Sequence, residues 1–235
     1  MTTLAIIPAG GAGKRMAAGI PKQYVRLAGL PVLVRTLRAF QLSEAVDEIL
    51  LAVPEGDLAQ VDRTLLAGQG FTKVICAVAG GAQRQDSVRN ALAHVREEHG
   101  IVLVHDGVRP FVSGGLIRRV VAAAREYGAS TAGVPVKETV KSVDAGGWVT
   151  RTVSREGLWL TQTPQAFRRE IILAAYERAA QDSFCGTDDA SLVERMGIPV
   201  RMVPGEYENL KLTTPEDLIL GEALAGRFPA ESAGG

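Results

Sequence analysis

Leu4-Ala5-Ile6-Ile7-Pro8-Ala9-Gly10-Gly11-Ala12-Gly13-Lys14-Arg15-Met16 decides the fold, because a short apolar run breaks directly into a glycine-rich, basic loop. Similar runs recur at residues 48–53, 73–78 and 101–105, and amphipathic stretches near 32–42, 57–67 and 83–97 lie between them. Strand-length apolar runs alternating with helix-length amphipathic ones predict an α/β protein: a Rossmann-like, mostly parallel sheet covered by helices on both faces. In such open sheets a ligand sits beyond the carboxyl ends of the strands, where strand order reverses. The first suspects are therefore residues 8–22, 54–57, 79–87 and 106–110.

Composition supports this reading and removes others. The 235 residues carry 26 Lys+Arg against 26 Asp+Glu, so the chain lacks the global basic field of most nucleic-acid binders and no nucleic-acid partner is expected. A chain this long buries roughly 70 to 75% of its unfolded surface, enough for one core without staples. Cys76 and Cys185 form neither a disulfide framework nor a metal-ligand spacing. No apolar stretch approaches about 18 residues, and the N-terminus enters a strand without a targeting pattern. A cytoplasmic protein with no membrane partner is expected, as a single domain over 1–235.

After Pro135 the pattern changes. Residues 137–143 and 148–153 alternate around Asp144-Ala145-Gly146-Gly147, as two strands around a glycine-containing turn. An isolated hairpin is marginal in water, so this protruding arm, at about 137–154, either folds back on its own domain or packs on a second copy, giving a homodimer. Helical patterns resume at 168–181 and 188–196, extended segments follow at 200–203 and near 209–212, and a last helix starts at Pro215. Residues 229–235 read as a frayed tail.

The glycine loop fails both common glycine motifs. As a Walker A loop it has Pro8 in the first glycine slot and Arg15 in place of the Mg²⁺-binding hydroxyl, which argues against a P-loop ATPase. As a dinucleotide fingerprint starting at Gly11 and Gly13 it has Met16 at the third glycine. A tight turn would account for the glycines but not for Arg15 and Lys22. Glycines that admit backbone N–H groups to phosphate oxygens, flanked by cations, account for both.

Pro8 to Met16 followed by Pro21-Lys22-Gln23-Tyr24 resembles the signature of the sugar-phosphate nucleotidylyltransferases. With His105-Asp106-Gly107-Val108-Arg109-Pro110 it is similar to the cytidylyltransferase branch, and most closely to the methylerythritol phosphate cytidylyltransferases, over about residues 4–224. The resemblance implies CTP and a sugar-alcohol phosphate as substrates, with Mg²⁺ or another divalent cation. Pro8, Ala9, Gly10, Gly11 and Gly13 would cradle the nucleotide. Arg15 and Lys22 would stabilise charge on the α-phosphate.

Gly80-Gly81-Ala82-Gln83-Arg84-Gln85-Asp86-Ser87-Val88 matches the stretch that in the family reads cytosine, through Gly81 and Ser87, although Ala82 replaces the usual acid. Asp86 and Ser87 are also capping and first-turn positions. Asp106, just past a strand, suits a role beside Mg²⁺ and the reacting phosphates, and Arg109 a phosphate contact. A plain Asp106–Arg109 turn salt bridge is the competing reading. His105, at a buried strand end, reads as structural. The resemblance nominates Thr139 and Arg155, from the partner's arm, together with Thr163 and Thr187 for the acceptor, and Lys211 for phosphates. Thr187 could instead cap the following helix.

The implied reaction needs no protein nucleophile, since a phosphate monoester is largely dianionic at neutral pH and attacks unaided. Two other functions share parts of this pattern: a ribitol 5-phosphate cytidylyltransferase, disfavoured by Thr139 with Arg155-Glu156-Gly157-Leu158-Trp159, and a non-catalytic nucleotide sensor, disfavoured by Arg15, Lys22, Asp106 and Lys211 occurring together.

Overall fold

The computed structural model describes residues 1–10 and 21–227. The expectations for Gly11, Gly13, Arg15 and the 229–235 tail lie outside those residues. Along the chain come β1 (Thr2–Pro8), a 3-10 turn Lys22–Tyr24, β2 (Arg26–Leu27), β3 (Leu30–Pro31), α1 (Val32–Leu42), β4 (Glu48–Val53), α2 (Leu58–Gln60), β5 (Val74–Ala79), α3 (Arg84–Leu92) and β6 (His99–Val104). There follow α4 (Gly114–Tyr127), β7 (Ala129–Pro135), β8 (Val140–Val143), β9 (Val149–Val153), β10 (Trp159–Arg168), α5 (Arg169–Gln181), α6 (Asp189–Arg195), β11 (Arg201–Pro204) and α7 (Pro215–Ala225).

Seven strands form one sheet in the order β11-β7-β10-β6-β1-β4-β5. All neighbours are parallel except β10, which runs antiparallel to both β6 and β7. Side chains of the central strands alternate between two cores, as a two-residue repeat requires. Ala5, Ile7, Ile49, Leu51 and Leu103 pack with Leu37 and Phe40 of α1 and with Leu116 and Val120 of α4. Leu4, Ile6, Leu50, Val102 and Val104 face α3, α5 and α6 on the other side. Both faces are thus covered, which explains why β1, β4 and β6 read as unbroken apolar runs. A third cluster, with Leu27, Val32, Val108, Phe111 and Leu212, anchors the segment that follows β11.

Several expectations are corrected. The helix expected at 57–67 is a chain of short pieces, 3-10 at Glu55–Asp57, α2, then π at Val61–Leu66. The one expected at 83–97 stops at Leu92. Residues 209–212 are not a strand; Leu212 N–H donates to Val108 O and the segment crosses the sheet end as a loop. Helix α4 has no counterpart in the sequence reading because its first two residues are glycines, weak helix formers. Ser113 caps it by accepting from Leu116 N–H, and Leu116, Ile117, Val120, Val121 and Ala124 form its buried stripe. Strand β10 was also not foreseen, since Pro164 argues against a central strand; a register shift between Thr161 and Gln165 accommodates it.

The arm is the separate two-stranded sheet β8–β9, closed by Asp144, whose Oδ1 accepts from Gly146 and Trp148 N–H. Trp148 is 77% exposed and Val143 and Val149 are exposed beside it, so this side of the arm has no apolar cover among the described residues.

Phe40 is fully buried and its ring lies 4.9 Å from that of His105. Phe40→Ala should lower unfolding free energy by about 3–5 kcal/mol in a urea titration; a loss below about 1 kcal/mol would show that this side chain is not core.

Candidate active site

After β1 the chain builds β4 and β5 on one side, then returns to place β6 on the other, so strand order reverses between β1 and β6. The strand ends there are stitched together: Ala9 N–H donates to Ala52 O, Gly107 N–H to Pro8 O and Gly80 N–H to Val53 O. Two cavities open above this seam. Pro8, Ala9, Gly10, Lys22, Gly81 and Ser87 line one; Arg109, Thr163 and Thr187 line the other. Arg84, Asp106 and Lys211 line both.

Asp106 is the centre of the arrangement. Its Oδ1 accepts from Arg84 Nε at 2.8 Å, and its Oδ2 lies 2.7 Å from Lys211 Nζ and 3.6 Å from Arg109 Nε. Burial works against the carboxylate, but Arg84, Lys211 and Arg109 outweigh it and hold this group far below the usual carboxylate range. The Asp106–Arg109 pair set aside in the sequence reading therefore exists, though it is the longest of the three contacts. Its presence follows from the tight turn in which Arg109 N–H donates to Asp106 O at 3.0 Å.

His105 serves as scaffold. Arg109 O can only accept, so His105 Nε2 carries the proton that it receives at 3.1 Å, leaving Nδ1 to accept from the Thr163 hydroxyl. The Thr163 oxygen in turn accepts from Asp106 N–H. This chain of bonds aims Asp106, and it places Thr163 behind the carboxylate as well as on the cavity wall. Asn209, fully buried, completes the frame: its Nδ2 donates to Thr163 O at 2.8 Å, and its own carbonyl accepts from Arg109 Nη1. Asn209 stands two residues before Lys211, the one residue of this segment that the sequence reading nominated.

On the β5–α3 loop, Ser87 Oγ accepts from Gly81 N–H and donates to Gln83 O. A Cβ at Gly80 would lie 2.9 Å from Ser87 Oγ, so only glycine lets the loop close onto this hydroxyl. Asp86 acts in capping, accepting from Gln83 N–H. Thr187 does not cap α6; Asp188 does, accepting from Ser191 N–H, and this frees Thr187 to face the second cavity.

Lys22, Asp106, Arg109, Thr163, Thr187 and Lys211 are thus gathered at one seam, while Thr139 and Arg155 are not. Both are exposed on the arm and line neither cavity, with the Arg155 guanidinium donating to Lys137 O. Arg84 is the residue that sequence reasoning missed, although it sits inside the quoted 80–88 stretch.

A model of the family 2-C-methyl-D-erythritol 4-phosphate cytidylyltransferase matches residues 3–227. The chain belongs to this family. A cytidylyltransferase of that name from Syntrophus aciditrophicus (strain SB) is 53% identical over 221 residues, covering 94% of each chain. One from Geobacter metallireducens is 50% identical over 227 residues, covering 95% of this chain and 97% of its own. The crystal structure of the 2-C-methyl-D-erythritol 4-phosphate cytidylyltransferase from Thermus thermophilus superposes with a TM-score of 0.80 at 36% identity, covering 96% of this chain and 100% of that one. These likenesses span the sheet, the arm and both cavities of this cytidylyltransferase-family chain.

Burial pushes the His105 imidazole down to about 3. Its folded value lies below the unfolded one near 6.5, so the unfolded chain takes up the proton first and stability falls as pH drops from about 6.5 toward 3. His105→Asn should flatten the pH dependence of the denaturation midpoint between about pH 6 and 4. An unchanged slope would mean that His105 is not held neutral.

Proposed function

We propose that the chain transfers CMP from CTP to 2-C-methyl-D-erythritol 4-phosphate, forming 4-diphosphocytidyl-2-C-methyl-D-erythritol and pyrophosphate, a step of non-mevalonate isoprenoid biosynthesis. The observation that carries the reading, beyond family membership, is that two cavities meet at one cluster of Arg84, Asp106 and Lys211. The first, bounded by Pro8, Ala9, Gly10, Gly81 and Ser87, takes the nucleotide, and the sequence resemblance assigns Gly11, Gly13 and Arg15 to the same ligand. The second takes the acceptor phosphate against Arg109, Thr163 and Thr187.

A phosphate oxygen of the acceptor attacks the α-phosphorus of CTP; the bond to the bridging oxygen breaks and pyrophosphate leaves with that electron pair. The acceptor phosphate is already dianionic, so no residue has to remove a proton. What the chain supplies is placement and positive charge: Lys22 on the wall of the nucleotide cavity, Lys211 and Arg109 at the seam. Among the described residues, Asp106 is the sole acid lining the nucleotide cavity. One carboxylate, with phosphates completing the shell, suits Mg²⁺ or a similar divalent cation brought in by CTP. Such a cation would neutralise phosphate charge.

The exposed apolar residues of the arm, Trp148 and Val149 among them, support a homodimer in which Thr139 and Arg155 reach the partner's acceptor cavity. Cys76 and Cys185 form no disulfide with each other, which suits the cytoplasm. Among the described residues, no helix is long and apolar enough to cross a membrane.

The test is pyrophosphate release from CTP and Mg²⁺ with 2-C-methyl-D-erythritol 4-phosphate, with ribitol 5-phosphate in parallel. Turnover with the former alone is expected; turnover with the latter alone would move the chain to the ribitol reaction, and CTP binding without turnover would make it a sensor. Lys22→Ala should lower kcat by about a hundredfold while moving the KM for either substrate only a few-fold, the pattern of a contact strongest in the transition state. If the arm completes the partner's site, mixing the inactive Lys22→Ala and Arg155→Ala proteins should restore up to about a quarter of wild-type activity, since half the dimers are mixed and each has one intact site. No recovery after verified subunit exchange would place Arg155 in its own chain's site.

A further inference from the structure

Arg84 is the first residue of α3, where the helix dipole disfavours a cation. Two carboxylates compensate. Its Nε donates to Asp106 at 2.8 Å, and its Nη2 donates to Asp189 Oδ2 at 2.8 Å. Asp189 opens α6, is 1% exposed, and lines neither cavity. Its other oxygen accepts from the Tyr176 hydroxyl at 2.5 Å, and Tyr176 is buried on α5. A line of hydrogen bonds therefore runs from the packed helix layer, Tyr176 to Asp189 to Arg84, and ends on the Asp106 carboxylate at the seam.

This geometry constrains Arg84 more than a phosphate contact would. A guanidinium held by two carboxylates has its plane fixed, and it fixes in turn which oxygen of Asp106 is occupied. Arg84 takes Oδ1, leaving Oδ2 to Lys211 and Arg109. Releasing Arg84 from Asp189 would let it follow the incoming phosphates, and Asp106 would lose the partner of its Oδ1, keeping Lys211 and Arg109 on Oδ2 only.

We propose that Arg84, held from behind by Asp189 and Tyr176, is a positioning residue for Asp106, so that two buried side chains outside both cavities govern the chemical step of the reaction proposed above. The inference rests on that reaction, and the experiment separates the two. Steady-state kinetics of pyrophosphate release are measured for the full-length chain and for Tyr176→Phe, Asp189→Asn, Arg84→Lys and the Tyr176→Phe/Arg84→Lys pair, with thermal melting alongside.

Tyr176→Phe keeps the ring and removes one bond to a charged group. It should lower kcat about tenfold, with the KM for CTP within about twofold. Asp189→Asn should lower kcat further. Because the residues act in one line, adding Tyr176→Phe to Arg84→Lys should cost less than about threefold more. A Tyr176→Phe protein with wild-type kcat, even if its melting temperature falls, overturns the proposal and leaves a packing role. So do fully multiplicative effects in the double variant. If Asp189→Asn fails to fold, the Tyr176→Phe and Arg84→Lys comparison decides alone. An active wild type with unmoved variants overturns the positioning role only, whereas a wild type that binds CTP without turnover overturns the reaction and this inference together.

Discussion

A carboxylate buried among cations is the constraint around which the rest of the structure is arranged. Asp106 sits at the end of β6 in a position from which bulk water is largely excluded, and a lone buried carboxylate there would be strongly destabilising. Arg84, Lys211 and Arg109 make it tolerable, and each comes from a different segment of the chain. The acid therefore recruits α3, the turn after β6 and the loop after β11 to one place. The cost of burying it becomes a means of holding a cluster of positive charge together before any phosphate arrives. Lys22, Arg84 and Lys211 against Asp106 line the first cavity, and Arg84, Arg109 and Lys211 against Asp106 and Asp188 line the second, so each wall carries a surplus of positive charge.

That surplus suits a reaction in which two anionic molecules must approach each other. Repulsion between CTP and a phosphate monoester is a large part of the barrier, and fixed cations lower it without having to reorganise. The scaffolding beneath Asp106 is made of neutral, hydrogen-bonded groups. His105 is kept uncharged by burial, Thr163 bridges it to Asp106, and Asn209 ties Thr163 to Arg109. Behind Asp106 the support is neutral hydrogen bonding, whereas behind Arg84 it is a second buried acid, Asp189.

Much of this was legible in the residues, and the gaps have physical causes. Strands β1, β4 and β6 could be read because burial on both faces makes them continuous apolar runs, and β5, at the sheet edge, because its residues are apolar throughout. The arm could be read because its strands alternate around a glycine-containing turn. Strand β10 escaped because its middle, Thr161-Gln162-Thr163-Pro164, is polar and carries a proline, and α4 escaped because it opens on two glycines. Glycine loop, Lys22, Asp106, Arg109 and Lys211 were found as motif members, each at a strand end or in a loop where ligands gather. Arg84 and Asp189 lie 105 positions apart, and nothing in the local pattern of either announces the other. Their pairing is a product of the fold.

Strand β10 ties two parts of the molecule to a single ruler. It leaves the arm at Trp159, passes Thr163 beneath Asp106, and reaches the core at Phe167, which is fully buried. Because side chains along a strand alternate sides, inserting or deleting one residue between 159 and 167 would turn Phe167 out of the core or draw Thr163 away from Asp106. At the hairpin tip, around residues 144–148, a longer or shorter turn would alter neither the strand register nor the site. The arm can be resized at its far end but not at its root.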